Sequence, residues 1–157
     1  MGRPPMTDAA RKLPPPEVPD AEEAPPPESL SVLVVDDYDD AREMYAEYLE
    51  FLGYHVQTAR DGQEAVDYAR EHHPDVILMD LSLPVLSGWE ATRQLKEDER
   101  TRDIPVMALT GHVLPIHTEQ AREAGCDAFL AKPALPDTVA DQIRVLLQKA
   151  GGKSRVR

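Results

Sequence analysis

The sequence predicts an α/β fold, a doubly wound parallel sheet with helices on both faces. Two observations carry that expectation. Short apolar runs alternate with segments of helical period, and the βα alternation repeats five times between residues 31 and 149. Two of the runs, 32–35 and 76–79, contain no polar residue, the pattern of strands buried on both faces. Such alternation implies right-handed crossovers and places every strand's carboxyl end on one edge, where open α/β sheets bind ligands.

The first run, 32–35, ends in Asp36 and Asp37. Residues 38–52 then follow helical spacing, with Ala41, Tyr45, Tyr48 and Leu52 on the expected inward face. Asp39 and Asp40 favour the first turn of that helix, and Gly53 suits its C-terminal cap. Residues 54–58 alternate like a strand, and Asp61 with Gly62 makes a turn. A helix over 63–72 turns Ala65, Val66 and Ala69 inward. The central run, 76–79, lies between Pro74 and Pro84 and delivers Asp80 beyond the apolar layer. Strand packing gives no reason for a carboxylate there. A helix over about 89–97 presents Trp89, Thr92 and Leu95 on one side, and a fourth strand spans 104–109. A weakly apolar helix over 115–124 closes at Gly125, and a fifth strand covers 127–131. The last helix, 135–149, places Val139, Ile143 and Leu146 inward and is expected to end at Gly151 and Gly152.

Three regions follow: 1–28, a disordered Pro-rich acidic tail; 29–150, the folded domain; and 151–157, a short basic tail. Pro14, Pro15 and Pro16 precede the acidic patch of residues 17–23, and Pro25, Pro26 and Pro27 follow it. This stretch has almost nothing to bury, so polyproline-II and irregular conformations are expected. It reads as a solubilising extension or a proline-motif docking segment.

The formal net charge of -12 argues against nonspecific nucleic-acid or anionic-membrane binding. The single cysteine, Cys126, excludes an intramolecular disulfide and reads as a small buried hydrophobe. No apolar run approaches the ~20 residues of a membrane span, and a cytoplasmic location is expected. No G-x-G-x-x-G follows Val35 and no phosphate-binding G-x-x-x-x-G-K-[ST] occurs, which disfavours dinucleotide and P-loop chemistry.

Read at their carboxyl ends alone, the strands supply Asp36, Asp37, Asp80, Thr110 and Lys132. Three carboxylates on one edge repel unless a proton or a cation intervenes. An all-oxygen set of this kind suits Mg²⁺. Carboxylate, Mg²⁺ and lysine together are the parts of a phosphoryl-transfer site, with the carboxylate as nucleophile.

The motifs VLVVDD, VILMD followed by LSLPVLSG, ALTG and FLAKP stand in order along residues 31–149. In these motifs the chain resembles the receiver domain of two-component response regulators, single-domain and chemotaxis-type in architecture. The resemblance implies a flavodoxin-like, five-stranded parallel sheet of order 2-1-3-4-5. It makes Asp80 the phosphoacceptor, and Asp36, Asp37, Asp80 and the Ser82 backbone carbonyl the Mg²⁺ ligands. Thr110 and Lys132 would bind the phosphoryl group, Thr110 and Phe129 would form the switch, and Ser82 and His112 would modulate. It also implies a cis bond between Lys132 and Pro133. Leu83, where the family often has Met, and Ala134, where it often has an aromatic residue, are mild departures.

The expected function is a phosphorylation-dependent switch that takes its phosphoryl group from the phosphohistidine of a histidine kinase or histidine phosphotransfer protein. It would signal by partner binding, or by phosphorelay, with no output domain of its own. The downstream partner would meet the face of the last two helices and the fifth strand, the protein being a monomer or weak homodimer. As an enzyme it would catalyse at most its own Mg²⁺-dependent phosphorylation and dephosphorylation. A small Asp-nucleophile phosphatase is a second reading, weakened because Ser82 stands where such a site wants a second Asp. A third, a phosphorylation-independent module of the same fold, leaves the full acceptor set without a purpose.

Overall fold

The computed structural model describes residues 29–111 and 115–156, without the side chains of 115–118, 121 and 151–156. In chain order the elements are β1 (Ser31–Val35), α1 (Asp39–Phe51), β2 (His55–Ala59), α2 (Gly62–His72) and β3 (Val76–Asp80). They continue with α3 (Gly88–Glu97), β4 (Val106–Thr110), α4 (Pro115–Ala124), β5 (Ala128–Ala131) and α5 (Pro136–Val156). The five strands form one sheet, parallel throughout, in the order β2-β1-β3-β4-β5.

Alternation along the strands divides the core into two layers. Val32, Val34, Val76, Leu78, Met107 and Leu109 face α1 and α5, where Tyr45, Leu49, Val139 and Ile143 meet them. Leu33, Val35, Ile77, Met79 and Val106 face the other way, onto Ala65, Val66 and Ala69 of α2 and Ala91 and Leu95 of α3. Strands covered on both sides need apolar residues at every position, which is why the first and third runs carry no alternation. The edge strand β5 has one neighbour and is only partly buried.

Register aligns the strand ends. Val35 lies opposite Met79, so Asp36 and Asp80 leave adjacent strands at the same level. Asp80 lies opposite Leu109, and Thr110 opposite Ala131, one residue before Lys132.

Two helices differ from the sequence reading. The buried stripe of α1 is Arg42, Tyr45, Ala46 and Leu49; of the expected inward residues Tyr45 is buried, Ala41 and Tyr48 are half-buried against the core, and Leu52 is exposed. Arg42 takes an inward place because its guanidinium finds polar partners there while its stem covers apolar surface. The last helix begins at Pro136, a favourable first-turn residue, and runs to Val156, through the glycines expected to end it. Glycine costs roughly 1 kcal/mol in a helix interior but does not forbid the conformation.

Gly88 fixes how α3 meets the sheet. A Cβ added there would stand 2.3 Å from the Asp80 carbonyl oxygen and 2.7 Å from Leu81 Cα. Both obstacles are backbone, so no side-chain rotation relieves them. Gly88→Ala is expected to lower stability by about 2–3 kcal/mol in urea denaturation, whereas Gly111→Ala, with open space at its Cβ, leaves it within about 0.5 kcal/mol.

Candidate functional site

The end of β1, the end of β3 and the turn after β5 converge. Oxygens of Asp36, Asp37 and Asp80 all lie within 4.8 Å of one another. Asp36 and Asp80 are only 2% and 5% exposed, while Asp37 faces solvent. Asp36 and Asp80 are held in the same way. Asp36 Oδ1 accepts from the Tyr38 backbone N–H at 3.0 Å, and its Oδ2 is 3.2 Å from Lys132 Nζ. Asp80 Oδ1 accepts from the Ser82 N–H at 3.1 Å, and its Oδ2 is 3.5 Å from the same ammonium. Each therefore has one oxygen fixed by the loop after its own strand and one by Lys132.

Lys132 is delivered by β5. Its backbone N–H donates to the Thr110 carbonyl at 2.7 Å, extending the β4–β5 ladder by one step, and its bond to Pro133 is cis. Thr110 is the last residue of β4, 1% exposed. Phe129 lies opposite Ala108. Ala108 and Thr110 point to one side of the sheet, so Phe129 and Thr110 share that side. The Phe129 ring is half-buried against Leu81 and Ala108, with Trp89 and Cys126 in the same cluster. Ser82 is exposed beside Asp80. His112 lies outside the described residues.

The electrostatics follow from this geometry. Burial pushes the Asp80 carboxyl up to about 6; the Ser82 N–H and Lys132 oppose that rise, and Asp36 adds to it. Burial works against the Lys132 ammonium, but Asp80 and Asp36 outweigh it and hold its pKa above the ordinary lysine value. Cys126 is also pushed up, to about 11, chiefly by burial, so its thiol stays protonated and inert.

Three carboxylates against one ammonium leave two negative charges in the cluster. The donors are all oxygens, one residue is open to solvent, and the missing charge is that of a divalent cation. The residues present therefore fit Mg²⁺, which keeps several waters and takes only one or two carboxylates directly.

A family model for the response regulator receiver domain matches residues 32–144. The chain belongs to this family. That places it in two-component signalling and accounts for the sheet order and the acidic strand ends together. Among curated relatives, the polar-differentiation response regulator DivK of Brucella ovis is 45% identical over 103 residues, 66% of this chain and 84% of the relative. Among solved structures, the chemotaxis response regulator CheY4 of Vibrio cholerae superposes with a TM-score of 0.71 at 31% identity, covering 75% of this chain and 98% of that one. The receiver domain of the sensor histidine kinase PA1611 from Pseudomonas aeruginosa PAO1 superposes with a TM-score of 0.68 at 36% identity, covering 78% of this chain and 98% of that one. That structure has a magnesium ion coordinated in its active site cleft.

Two further residues support the site, and neither stands out in the sequence. Arg42 donates to the Asp36 backbone carbonyl at 2.9 Å and pairs with Asp39, tying the β1–α1 turn to α1. The Tyr45 hydroxyl donates to the Ala134 carbonyl at 2.8 Å, tying the turn after Lys132 to the same helix. The available signal was their spacing, three apart on one face of α1 and just after the paired acids.

The raised Asp80 pKa makes metal-free stability pH-dependent. The folded carboxyl holds a proton up to about pH 6, against 3.8 for an ordinary one, so the folded state binds more protons across that window. Stability contributed by this group is therefore lost as pH rises from about 4 to 6. In EDTA at pH 7, Asp80→Asn is expected to raise stability by about 2 kcal/mol, the gain shrinking towards zero near pH 4 in denaturant titrations.

Proposed function

We propose that this protein is a phosphorylation-dependent switch in which Asp80 accepts a phosphoryl group from the phosphohistidine of a histidine kinase or histidine phosphotransfer protein. The observation that carries this reading is the setting of Asp80: a nearly buried carboxylate at the end of the central strand, 3.5 Å from an ammonium and within 4.8 Å of two other acids. An Asp80 oxygen attacks phosphorus as the bond from phosphorus to the imidazole nitrogen breaks. The product is an acyl phosphate, and the leaving imidazole takes up a proton from solvent.

Asp36, Asp37, Asp80 and the Ser82 carbonyl would hold Mg²⁺, which supplies positive charge to offset that of the phosphoryl oxygens. Lys132, already between Asp36 and Asp80, would transfer its pairing from carboxylate to phosphate. The Thr110 hydroxyl would bind a phosphoryl oxygen. Its movement would open space on the side of the sheet that Phe129 shares, and the ring would turn inward. A local change of charge thereby alters the surface formed by α4, β5 and α5. Output would pass through a protein partner on that surface, or by handing the phosphoryl group on. Ser82 and His112 would tune its lifetime, with His112 shielding the phosphoryl group from water. A cytoplasmic location, a monomer or weak homodimer, and a folded domain over residues 29–150 complete the reading.

Incubation with acetyl phosphate and Mg²⁺ is expected to label one site per chain, as mass spectrometry would read it, and Asp80→Asn to take no label. Rapid phosphate release without accumulated label would instead indicate a phosphatase, and no reaction a phosphorylation-independent module. Asp37 is the exposed member of the acid cluster, so its replacement leaves the core intact. Calorimetry of Asp37→Ala is expected to show Mg²⁺ affinity lowered at least tenfold; unchanged binding removes Asp37 from the metal site.

A further inference from the structure

The outer face of α1 is built unlike an ordinary solvated helix face. Phe51 is 82% exposed and Met44 42%, and the Phe51 ring lies 6.5 Å from that of Tyr48 in a tilted pair. Met44, Tyr48 and Phe51 recur at helical spacing and form a stripe. Asp40, Glu43 and Glu47 form a second stripe directly beside it, all three exposed and without an ion pair among the described residues. Between α1 and the start of α5 the three acids, Met44 and Tyr48 line an open groove of about 470 Å³, closed on one side by Pro136.

Aromatic rings flanked by acids select a particular ligand. Proline-rich segments in the polyproline-II conformation lie across aromatic side chains, and adjacent basic residues pair with carboxylates. A second α1 face would bring acid against acid, and nucleic acid or an anionic membrane would be repelled in the same way. This chain carries a segment of the required chemistry. Arg11, Lys12, Leu13, Pro14, Pro15 and Pro16 join two cations to three prolines through one aliphatic residue. The other basic run, 153–157, has no proline.

We propose that residues 11–16 of this chain dock along the outer face of α1, prolines on Tyr48 and Phe51, and Arg11 and Lys12 against Asp40, Glu43 and Glu47. Length and polarity both agree with this. Six polyproline-II residues span about 19 Å, and the rise of α1 from Asp40 to Phe51 is about 17 Å. The folded domain is entered at the far end of α1, where the Leu30 carbonyl accepts from His55 N–H and Tyr54 N–H donates to Leu49. A chain arriving there meets Phe51 first and the acids last, so the prolines, nearer the domain in sequence, meet the rings. The connecting residues, 17–28, would reach up to about 37 Å if extended as polyproline II, enough for the chain to turn back onto α1. Their acids, including Glu17, Asp20, Glu22 and Glu23, are repelled by the same face and leave it to the basic segment.

A nitroxide on the full chain at Ala9→Cys, in a Cys126→Ser background, tests this by paramagnetic broadening of amide signals. Broadening is expected along α1, strongest at 39–44 and weaker towards Phe51, to be lost in 0.5 M salt and in the added Arg11→Glu/Lys12→Glu pair. Without any cysteine change, the same pair in the wild-type chain is expected to shift the amides of Met44, Tyr48 and Phe51. A synthetic peptide of residues 7–18 should restore those shifts when added to it. Broadening absent from α1, with no shifts from the charge reversal, overturns the proposal. Broadening equally strong when spin-labelled chain is mixed with unlabelled isotope-enriched chain also overturns it, by assigning the face to a second copy.

Discussion

The site depends on an unbalanced charge. Two carboxylates are drawn out of water at the ends of adjacent buried strands, and one ammonium reaches both. That ammonium cannot neutralise the pair, and Asp37 adds a third negative charge beside it. The sheet must therefore be stable enough elsewhere to hold a cluster that opposes folding, and the two apolar layers on its faces supply that stability. The cost has a direction: it falls when positive charge arrives and rises when negative charge arrives without it. A group that moves the balance either way is felt by every strand end that contributes to it.

α1 sets the distances in this arrangement. Arg42 holds the turn that carries Asp36 and Asp37, and Tyr45 holds the turn that follows Lys132. The acid side and the base side of the cluster are thus referenced to a single rigid helix. Ala134, at a position often aromatic in the family, packs against the cluster that contains Tyr45, so an aromatic ring is present there but comes from α1. On the other side, Gly88 lets α3 rest on the Asp80 carbonyl itself.

Most of the fold was legible because buried parallel strands leave an unusual mark, a run of apolar residues that ends abruptly in acid. The runs ending at Asp36 and Asp80 fixed two adjacent strands, and the helical segments between them fixed the alternation. Their meeting with Lys132 was legible because parallel strands share one carboxyl edge. Arg42 was not, because a charged residue on a helix normally faces water, and only its three-dimensional partners reverse that expectation. The inward stripe of α1 departs from hydropathy by the same route: Tyr45 is buried and Ala41 and Tyr48 pack half-buried on the core, but Leu52 is exposed and Arg42 takes a buried place. Gly151 and Gly152 misled for a different reason, since glycine biases a helix end and does not dictate it.

The strands are not equally free to move. β1 and β3 each have a neighbour on both sides, so Asp36 and Asp80 are mounted on the stiff middle of the sheet. β5 has only β4, is four residues long, and is only partly covered. It carries Phe129 and leads directly into Lys132. In mechanical terms the acids form an anvil and the less braced part is the edge strand that carries Phe129, so a force balance altered at the acids is taken up on that side of the sheet.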